Sequence, residues 1–287
     1  MKCSVLWLGI PAALLLTSSA TSQTFGATER LTNTVLDPRD VLSGDLDGDG
    51  DLEPIALSGL DGQISYWDNR GGGNFGPQIS LPSVEPGVDV GVSGDVDGNG
   101  TVDLIVGTDA GAVVAFLNDG SGGWTRIQVT QISSVVELAC EDLNVDGIED
   151  VVALSGTGEI EWFAGTQGSI PLAQGVIGQS NLAWLEILDL DGDSDPDVML
   201  SNDADLLHYM ENDGAGAFTA SSELIWSGGA LRRGHLVDFD GDGMPDVVRH
   251  LGSQITWDNG LPGGFNEALA VLQQVPFQEV FRVSPDL

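Results

Sequence analysis

Basic side chains are scarce in this sequence. Only 9 of its 287 residues are Lys or Arg, against 44 Asp and Glu, which gives a formal net charge of −35 at pH 7. Binding to a nucleic-acid backbone requires a basic face, so a nucleic-acid partner is excluded. An anionic membrane surface would repel the chain for the same reason.

Cysteine is almost absent. Cys3 lies in a predicted signal peptide, which leaves Cys140 as the single thiol of the mature chain. An intramolecular disulfide and a thiolate zinc cluster are therefore both excluded.

Long apolar runs are missing too. The longest run, Val5 to Leu16, is interrupted by Gly9 and Pro11 and is too short to cross a bilayer. It follows Lys2 and precedes small residues that suit cleavage after Ala20. We predict a signal peptide over 1–20, no transmembrane segment, and a secreted, periplasmic or cell-surface location.

One acidic nonapeptide, Asp-x-Asp/Asn-x-Asp/Asn-Gly-x-x-Asp/Glu, occurs five times with one departure. The copies are numbered loops 1 to 5 and begin at Asp45, Asp95, Asp142, Asp189 and Asp238, at spacings of 50, 47, 47 and 49 residues. A near-constant period of this length is typical of repeat folds in which each unit is one supersecondary structure.

The rest of each unit repeats as well. A short apolar run follows each loop, as in Leu104 to Val106, and then come an alternating stretch that ends in an aromatic and an Asn/Gly turn. This pattern predicts about four strands per unit and no helix. Within 21–287 we predict units over about 37–84, 85–132, 133–180, 181–229 and 230–276, flanked by terminal strands 23–36 and 277–287.

The acidic loops, the apolar strand after them and the Asn-Gly-x-Gly-x-Phe turn resemble FG-GAP/VCBS repeats, the blades of integrin-α-like β-propellers. The pairs Phe25-Gly26 and Phe75-Gly76 fit that family. The resemblance covers about 23–287 and implies an all-β propeller with Ca²⁺ in the loop between the first two strands of a blade. Five blades, a partial sixth blade, and a truncated chain all remain open.

The loop chemistry itself favours a divalent cation. Positions 1, 3, 5 and 9 carry oxygen side chains and position 7 offers a backbone carbonyl, which together suit Ca²⁺. Two carboxylates about 4 Å apart repel by roughly 4 kcal/mol at an effective dielectric constant near 20, so several cannot be held together at neutral pH without a cation. We predict up to five Ca²⁺ ions with these ligands: Asp45, Asp47, Asp49, Asp51 and Glu53; Asp95, Asp97, Asn99, Thr101 and Asp103; Asp142, Asn144, Asp146, Ile148 and Asp150; Asp189, Asp191, Asp193, Asp195 and Asp197; Asp238, Asp240, Asp242, Met244 and Asp246.

Two loops depart from the pattern. Position 6 should have a positive φ, which favours glycine, but loop 4 has Ser194 there. Loop 3 has Asn144 at position 3 and Val145 at position 4, so we expect a weaker site. An EF-hand is excluded because no loop has an acid at position 12 and the flanks are predicted strands.

No catalytic constellation is visible. The sequence has neither a nucleophile elbow nor a zinc-protease motif, and its glycines lie in acidic turns that would repel phosphate. We expect a monomeric binding or adhesion module for a protein or glycan ligand, with no catalytic residues and Ca²⁺ as a structural cofactor. The alternatives are a polysaccharide lyase or glycoside hydrolase on a propeller scaffold, and a purely structural surface repeat.

Overall fold

A computed structural model describes Leu31 and residues 34–82, 84, 86–169, 171–179, 182–190, 193–202, 207–220, 234–237, 246–251, 254–258, 260–261, 264–265 and 270–271. Every regular element among these residues is a β-strand, which confirms the all-β prediction. No helix in this part of the chain has the length and apolar character needed to span a membrane. The predicted signal peptide 1–20, the terminal strand 277–287 and most of the terminal strand 23–36 lie outside the described residues.

The strands follow one another in groups of four. The first two groups are β1 (Pro38–Gly44), β2 (Glu53–Ser58), β3 (Ile64–Asn69) and β4 (Phe75–Ser80), then β5 (Val88–Gly94), β6 (Asp103–Thr108), β7 (Ala112–Asn118) and β8 (Trp124–Gln131). The third group is β9 (Val135–Glu141), β10 (Asp150–Ser155), β11 (Glu159–Ala164) and β12 (Leu172–Gln179). The fourth is β13 (Leu182–Leu188), β14 (Asp197–Asn202), β15 (Leu207–Asn212) and β16 (Phe218–Ala220). The last strands are β17 (Gly234–Val237), β18 (Asp246–Leu251), β19 (Gln254–Asp258), β20 (Gly260–Leu261), β21 (Gly264–Phe265) and β22 (Ala270–Val271).

Each of the first four groups forms an antiparallel four-stranded sheet in chain order, within one predicted repeat unit. The sheet of the fifth unit has the order β17-β18-β19-β22, and β20 pairs with β21 as a separate hairpin. The five units are called units 1 to 5 below. Antiparallel neighbours joined by short turns explain this order, because hairpins need no crossover connection.

The second strands are buried on both faces. Every residue of β6 and β10 is buried. Successive side chains of a strand point to opposite faces, so Leu104 packs toward unit 1 whereas Ile105 packs toward unit 3. This explains why these strands read as continuous apolar runs rather than alternating ones.

The hydrophobic core lies between successive sheets. One apolar layer joins units 1 and 2, a second joins units 2 and 3, and a third joins units 3 and 4. Trp67 and Trp162, which recur near the end of the third strand, are both buried, as their repeat position predicts. Trp184, which has no equivalent in the other units, is also buried at 5% exposure.

The first strands lie side by side at the unit junctions, where β1 contacts β5, β5 contacts β9 and β9 contacts β13. Asp40 accepts a hydrogen bond from the Gly91 amide across the first junction, and Glu137 does the same with the Leu185 amide across the third. The matching residue at the junction of units 2 and 3 is Val90, which cannot accept such a bond. Units 1–2 and units 3–4 are therefore joined alike, and units 2–3 are joined differently.

Candidate metal centres

The acidic loops connect the first and second strands of their units. In loops 1 to 3 the Asp at position 1 accepts backbone hydrogen bonds from inside its own loop. Asp45 accepts from the amides of Gly48 and Gly50 at 2.8 and 3.2 Å. The carboxylates of Asp95 and Asp142 accept from the amides at positions 5 and 6 of their loops, those of Asn99 and Gly100 and those of Asp146 and Gly147. These bonds curl the backbone around the position-1 side chain.

The curl places position 6 in the left-handed region. Gly50, Gly100 and Gly147 have φ between 89° and 95°, as the glycine pattern predicts. Ser194, the substituted residue of loop 4, keeps the same conformation with φ of 80°. A non-glycine residue pays roughly 1–2 kcal/mol for that conformation, so loop 4 carries local strain.

Position 4 is left-handed as well, which the sequence analysis did not predict. Gly48 and Gly98 have φ of 78° and 68°, and Val145 of loop 3 has φ of 55°. The recurring glycine at this position was the available signal. Val145 is therefore a second strained residue, since a β-branched side chain is poorly suited to positive φ.

The acid at position 9 is buried and braces the loop. Asp103 accepts the Val96 amide at 3.1 Å and the Asn118 amide at 2.7 Å, one on each carboxylate oxygen. Glu53, Asp150 and Asp197 accept the corresponding pairs of amides in their own units. Each of these carboxylates thus ties the start of its loop to the end of the third strand. Asp246, the position-9 residue of loop 5, is also buried.

Carboxylates converge in two loops. One ligand atom from each of Asp45, Asp47 and Glu53 lies within 4.8 Å of the other two, and Asp95, Asp97 and Asp103 meet the same criterion. Among the described residues of loop 3 no such group of three acids forms, and position 3 there is the amide of Asn144.

Burial first, and then neighbouring charges, raise the pKa values of the position-9 acids of loops 1 to 3. The pKa of Asp103 is raised to about 7, chiefly by burial and also by the nearby charges of Asp97 and Asp95, against the lowering effect of the two backbone hydrogen bonds. Burial likewise raises the pKa of Asp150 to about 6. The pKa of Glu53 is raised first by burial and then by Asp47 and Asp49. Three carboxylate oxygens within 4.8 Å of one another form a cluster of hard oxygen ligands, and a divalent cation among them would favour their ionised forms, so these residues fit Ca²⁺.

The other predicted ligands are placed as follows. Asp49, Asp51 and Asn99 are exposed, whereas Thr101 and Ile148, which would offer a backbone carbonyl, are half-buried. In loop 4, Asp189, Asp193, Asp195 and Asp197 are described, whereas Asp191 is not. Asp238, Asp240, Asp242 and Met244 also lie outside the described residues, so their predicted role stays a prediction.

The turn between the third and fourth strands lies against the loop of its own unit. The Asn118 carbonyl accepts from the side chains of Asn99 and Thr101, at 2.9 and 2.6 Å. The Asn118 side chain donates to the carbonyls of Val102 and, in the preceding unit, Leu46. Asn212 repeats both contacts, with Pro196 and Leu143 as acceptors. Sequence analysis identified the Asn/Gly turn but not its link to the loop of the previous unit.

The repeat geometry agrees with a family comparison. A model of the FG-GAP-like repeat matches residues 45–106, 95–153 and 189–248, which together cover more than half of the chain. The chain belongs to the FG-GAP-like repeat family. The predicted resemblance is thereby confirmed, and the matched segments contain all five acidic loops.

Solved structures share the fold of this FG-GAP-like repeat protein. One is an Agrocybe aegerita lectin solved for its recognition of non-reducing terminal N-acetylglucosamine, with a TM-score of 0.64 and 20% identity over 83% of this chain and 66% of that chain. Another is BBS1N in complex with ARL6DN, with a TM-score of 0.56 and 13% identity over 81% of this chain and 67% of that chain. No curated protein matches the sequence.

Proposed function

We propose that this FG-GAP-like repeat protein is an exported, calcium-binding β-propeller module that binds a glycan or protein ligand. The observation that carries the proposal is the convergence of three carboxylates in loop 1 and again in loop 2, at the same place in successive units. In this proposal the five four-stranded sheets are blades, and the loops brace one end of each.

The loop residues have a structural task in this proposal. Bound Ca²⁺ would supply the positive charge that lets the clustered carboxylates stay ionised together. The position-1 and position-9 acids hold the loop backbone through amide hydrogen bonds, which keeps their carboxylates within the loop. Binding only to the folded chain stabilises it by mass action.

A binding role is proposed rather than a catalytic one. Both oxygens of Asp103 and of Asp150, whose pKa values are raised to about 7 and about 6, accept backbone amides. A carboxylate held in this way is poorly placed to exchange a proton with a substrate. The lectin with the same fold supports a glycan as the first ligand class to test.

Thermal unfolding tests the calcium part of the proposal. One site stabilises the fold by about 1.4 kcal/mol when free Ca²⁺ is tenfold above Kd, and several sites together should raise Tm by on the order of 10 °C. We expect Tm to fall by this amount in EGTA, to recover with excess Ca²⁺, and to respond less to Mg²⁺ at the same concentration. The same Tm with and without EGTA would contradict a structural calcium role.

A glycan array tests the ligand part. The calcium-loaded protein should bind at least one class of glycan, and the signal should fall in EGTA under conditions where the protein stays folded. Binding to no glycan at saturating Ca²⁺ would exclude the glycan ligand and leave the calcium result intact.

A further inference from the structure

Loop 2 is held by the unit that follows it, and the residues that hold it include two from loop 3. The amide of Glu149 donates to the carbonyl of Asp95 at 3.2 Å, and the amide of Asp95 donates to Oε2 of Glu149 at 2.7 Å. Asp95 is position 1 of loop 2 and Glu149 is position 8 of loop 3. The two acidic loops are therefore in direct hydrogen-bonded contact.

A second contact joins the same two loops through apolar atoms. A methyl group placed on Gly98, position 4 of loop 2, would lie 2.9 Å from Cδ1 of Ile148. Ile148 is position 7 of loop 3, whose backbone carbonyl is a predicted cation ligand. The side chain of Ile148 is thus packed directly against the backbone of loop 2.

The turn after β11 completes the contact. The amide of Thr166 donates to the Val96 carbonyl at 3.1 Å, and the amide of Gly168 donates to the Asp97 carbonyl at 2.6 Å. Together with Glu149, unit 3 bonds to three consecutive carbonyls of loop 2, those of residues 95–97. The Asp97 side chain is 7% exposed in this arrangement.

Within the part of the chain that the structure describes, the junctions of units 1–2 and 3–4 lack this backbone contact. Among the described residues no backbone–backbone hydrogen bond joins loop 1 to unit 2 or loop 3 to unit 4. There the following unit hydrogen-bonds to the loop through one asparagine side chain, Asn118 or Asn212. Of the pairs formed by loops 1 to 3, loops 2 and 3 are consequently the pair in which ordering of one loop most directly orders the other.

We propose that loops 2 and 3 bind Ca²⁺ cooperatively, through the contacts of Ile148 and Glu149 with the backbone of loop 2. This inference rests on the proposed calcium function and adds a coupling between two named sites. A cation that fixes positions 5, 7 and 9 of loop 3 restricts Ile148 and Glu149, so loop 2 loses less conformational freedom when it binds its own cation.

The test measures calcium-dependent deuterium uptake loop by loop. Hydrogen–deuterium exchange of peptides covering 45–53, 95–103 and 142–150 gives a calcium midpoint for each loop of the intact chain. Asp146→Ala removes the exposed position-5 acid of loop 3, and Asp49→Ala is the matched change in loop 1. We expect Asp146→Ala to raise the midpoint of loop 2 by about fivefold or more, and Asp49→Ala to change it by less than about twofold.

Linkage adds an internal check. A coupling free energy is reciprocal, so Asp97→Ala should raise the midpoint of loop 3 by the same factor. Gly98→Ala should shift the midpoints of loops 2 and 3 together, because its methyl group meets Ile148. Gly48→Ala has the same kind of φ but no atom within 4 Å, so it should affect loop 1 alone.

An unchanged loop 2 midpoint in Asp146→Ala, with the calcium response of loop 3 lost, would overturn the coupling and leave the calcium function standing. Absence of any calcium-dependent protection in all three peptides of the unaltered protein would instead remove the proposed function, and the coupling with it.

Discussion

Loop 1 and loop 2 have the same backbone path but differ in how their charge is held. Loop 1 has five acids between Asp45 and Glu53, and positions 3 to 8 are all exposed. Loop 2 has three acids, yet Asp97 at position 3 is buried because unit 3 packs against the loop. The comparison shows that the acid count of a loop and the rigidity of a loop are separate properties. A larger number of acids raises the affinity of a loop for Ca²⁺ through charge. A rigid loop raises it because less conformational entropy is lost when the cation binds.

The largest expected effect is the difference in stability between a variant of a buried position-9 acid and a variant of an exposed acid. Asp103→Ala leaves the amides of Val96 and Asn118 without an acceptor in a buried site, at about 1–3 kcal/mol each. Asp49→Ala removes an exposed charge of loop 1 and should change the calcium-free stability by less than about 0.5 kcal/mol. Urea unfolding in EGTA measures both variants. Equal losses of stability would show that the buried carboxylate is not a brace.

The next effect concerns the asparagine that links units. Asn118 is buried and donates to the carbonyls of both Leu46 and Val102, whereas the side chain of Asn69 donates only to Leu52 among the described residues. We expect Asn118→Ala to lower the free energy of unfolding by about 2–3 kcal/mol and Asn69→Ala by about 1 kcal/mol. Urea unfolding at fixed Ca²⁺ distinguishes them. A larger loss of stability for Asn69→Ala than for Asn118→Ala would contradict this ranking of the two asparagines.

A smaller effect depends on pH. The folded-state pKa of Asp103 is raised to about 7, above its usual value of 3.8, so protonation favours the folded chain. This stabilisation is complete below about pH 4 and is lost as pH rises to about 7. In EGTA, Tm should therefore fall between pH 5 and pH 8. Asp103→Asn should flatten that slope more than Asp49→Asn, the control for general charge repulsion, and equal slopes in both variants would contradict a special role for the buried acid.

The smallest expected effect is a gain in the free energy of unfolding. Val145 has φ of 55° and is 57% exposed, so replacing it with glycine relieves backbone strain with little loss of packing. The relief of roughly 1–2 kcal/mol is partly offset by the greater chain entropy of glycine, which leaves a gain of about 0.5 kcal/mol. Val145→Gly should also lower the calcium midpoint of loop 3. A loss of stability would show that Val145 makes a stabilising interaction although it is exposed.

The sequence predicted the fold more fully than it predicted the environment of each loop. The five nonapeptides and their apolar runs gave the strand order, because local spacing determines which strands form hairpins. The left-handed conformation at position 6 followed from the glycines there. The contacts of Glu149 with Asp95 and of Asn118 with Leu46 could not be predicted, since they join residues 54 and 72 positions apart and depend on how sheets pack.

The alternation of junctions also bears on how such an array could be rearranged. The bonds between units 1 and 2 recur between units 3 and 4, while the middle junction has its own set. A single unit moved to a new place would meet a neighbour that lacks the matching donor or acceptor. We expect chimeric arrays built by exchanging two consecutive units to fold more readily than arrays built by exchanging one, so the transferable module of this protein is a doublet.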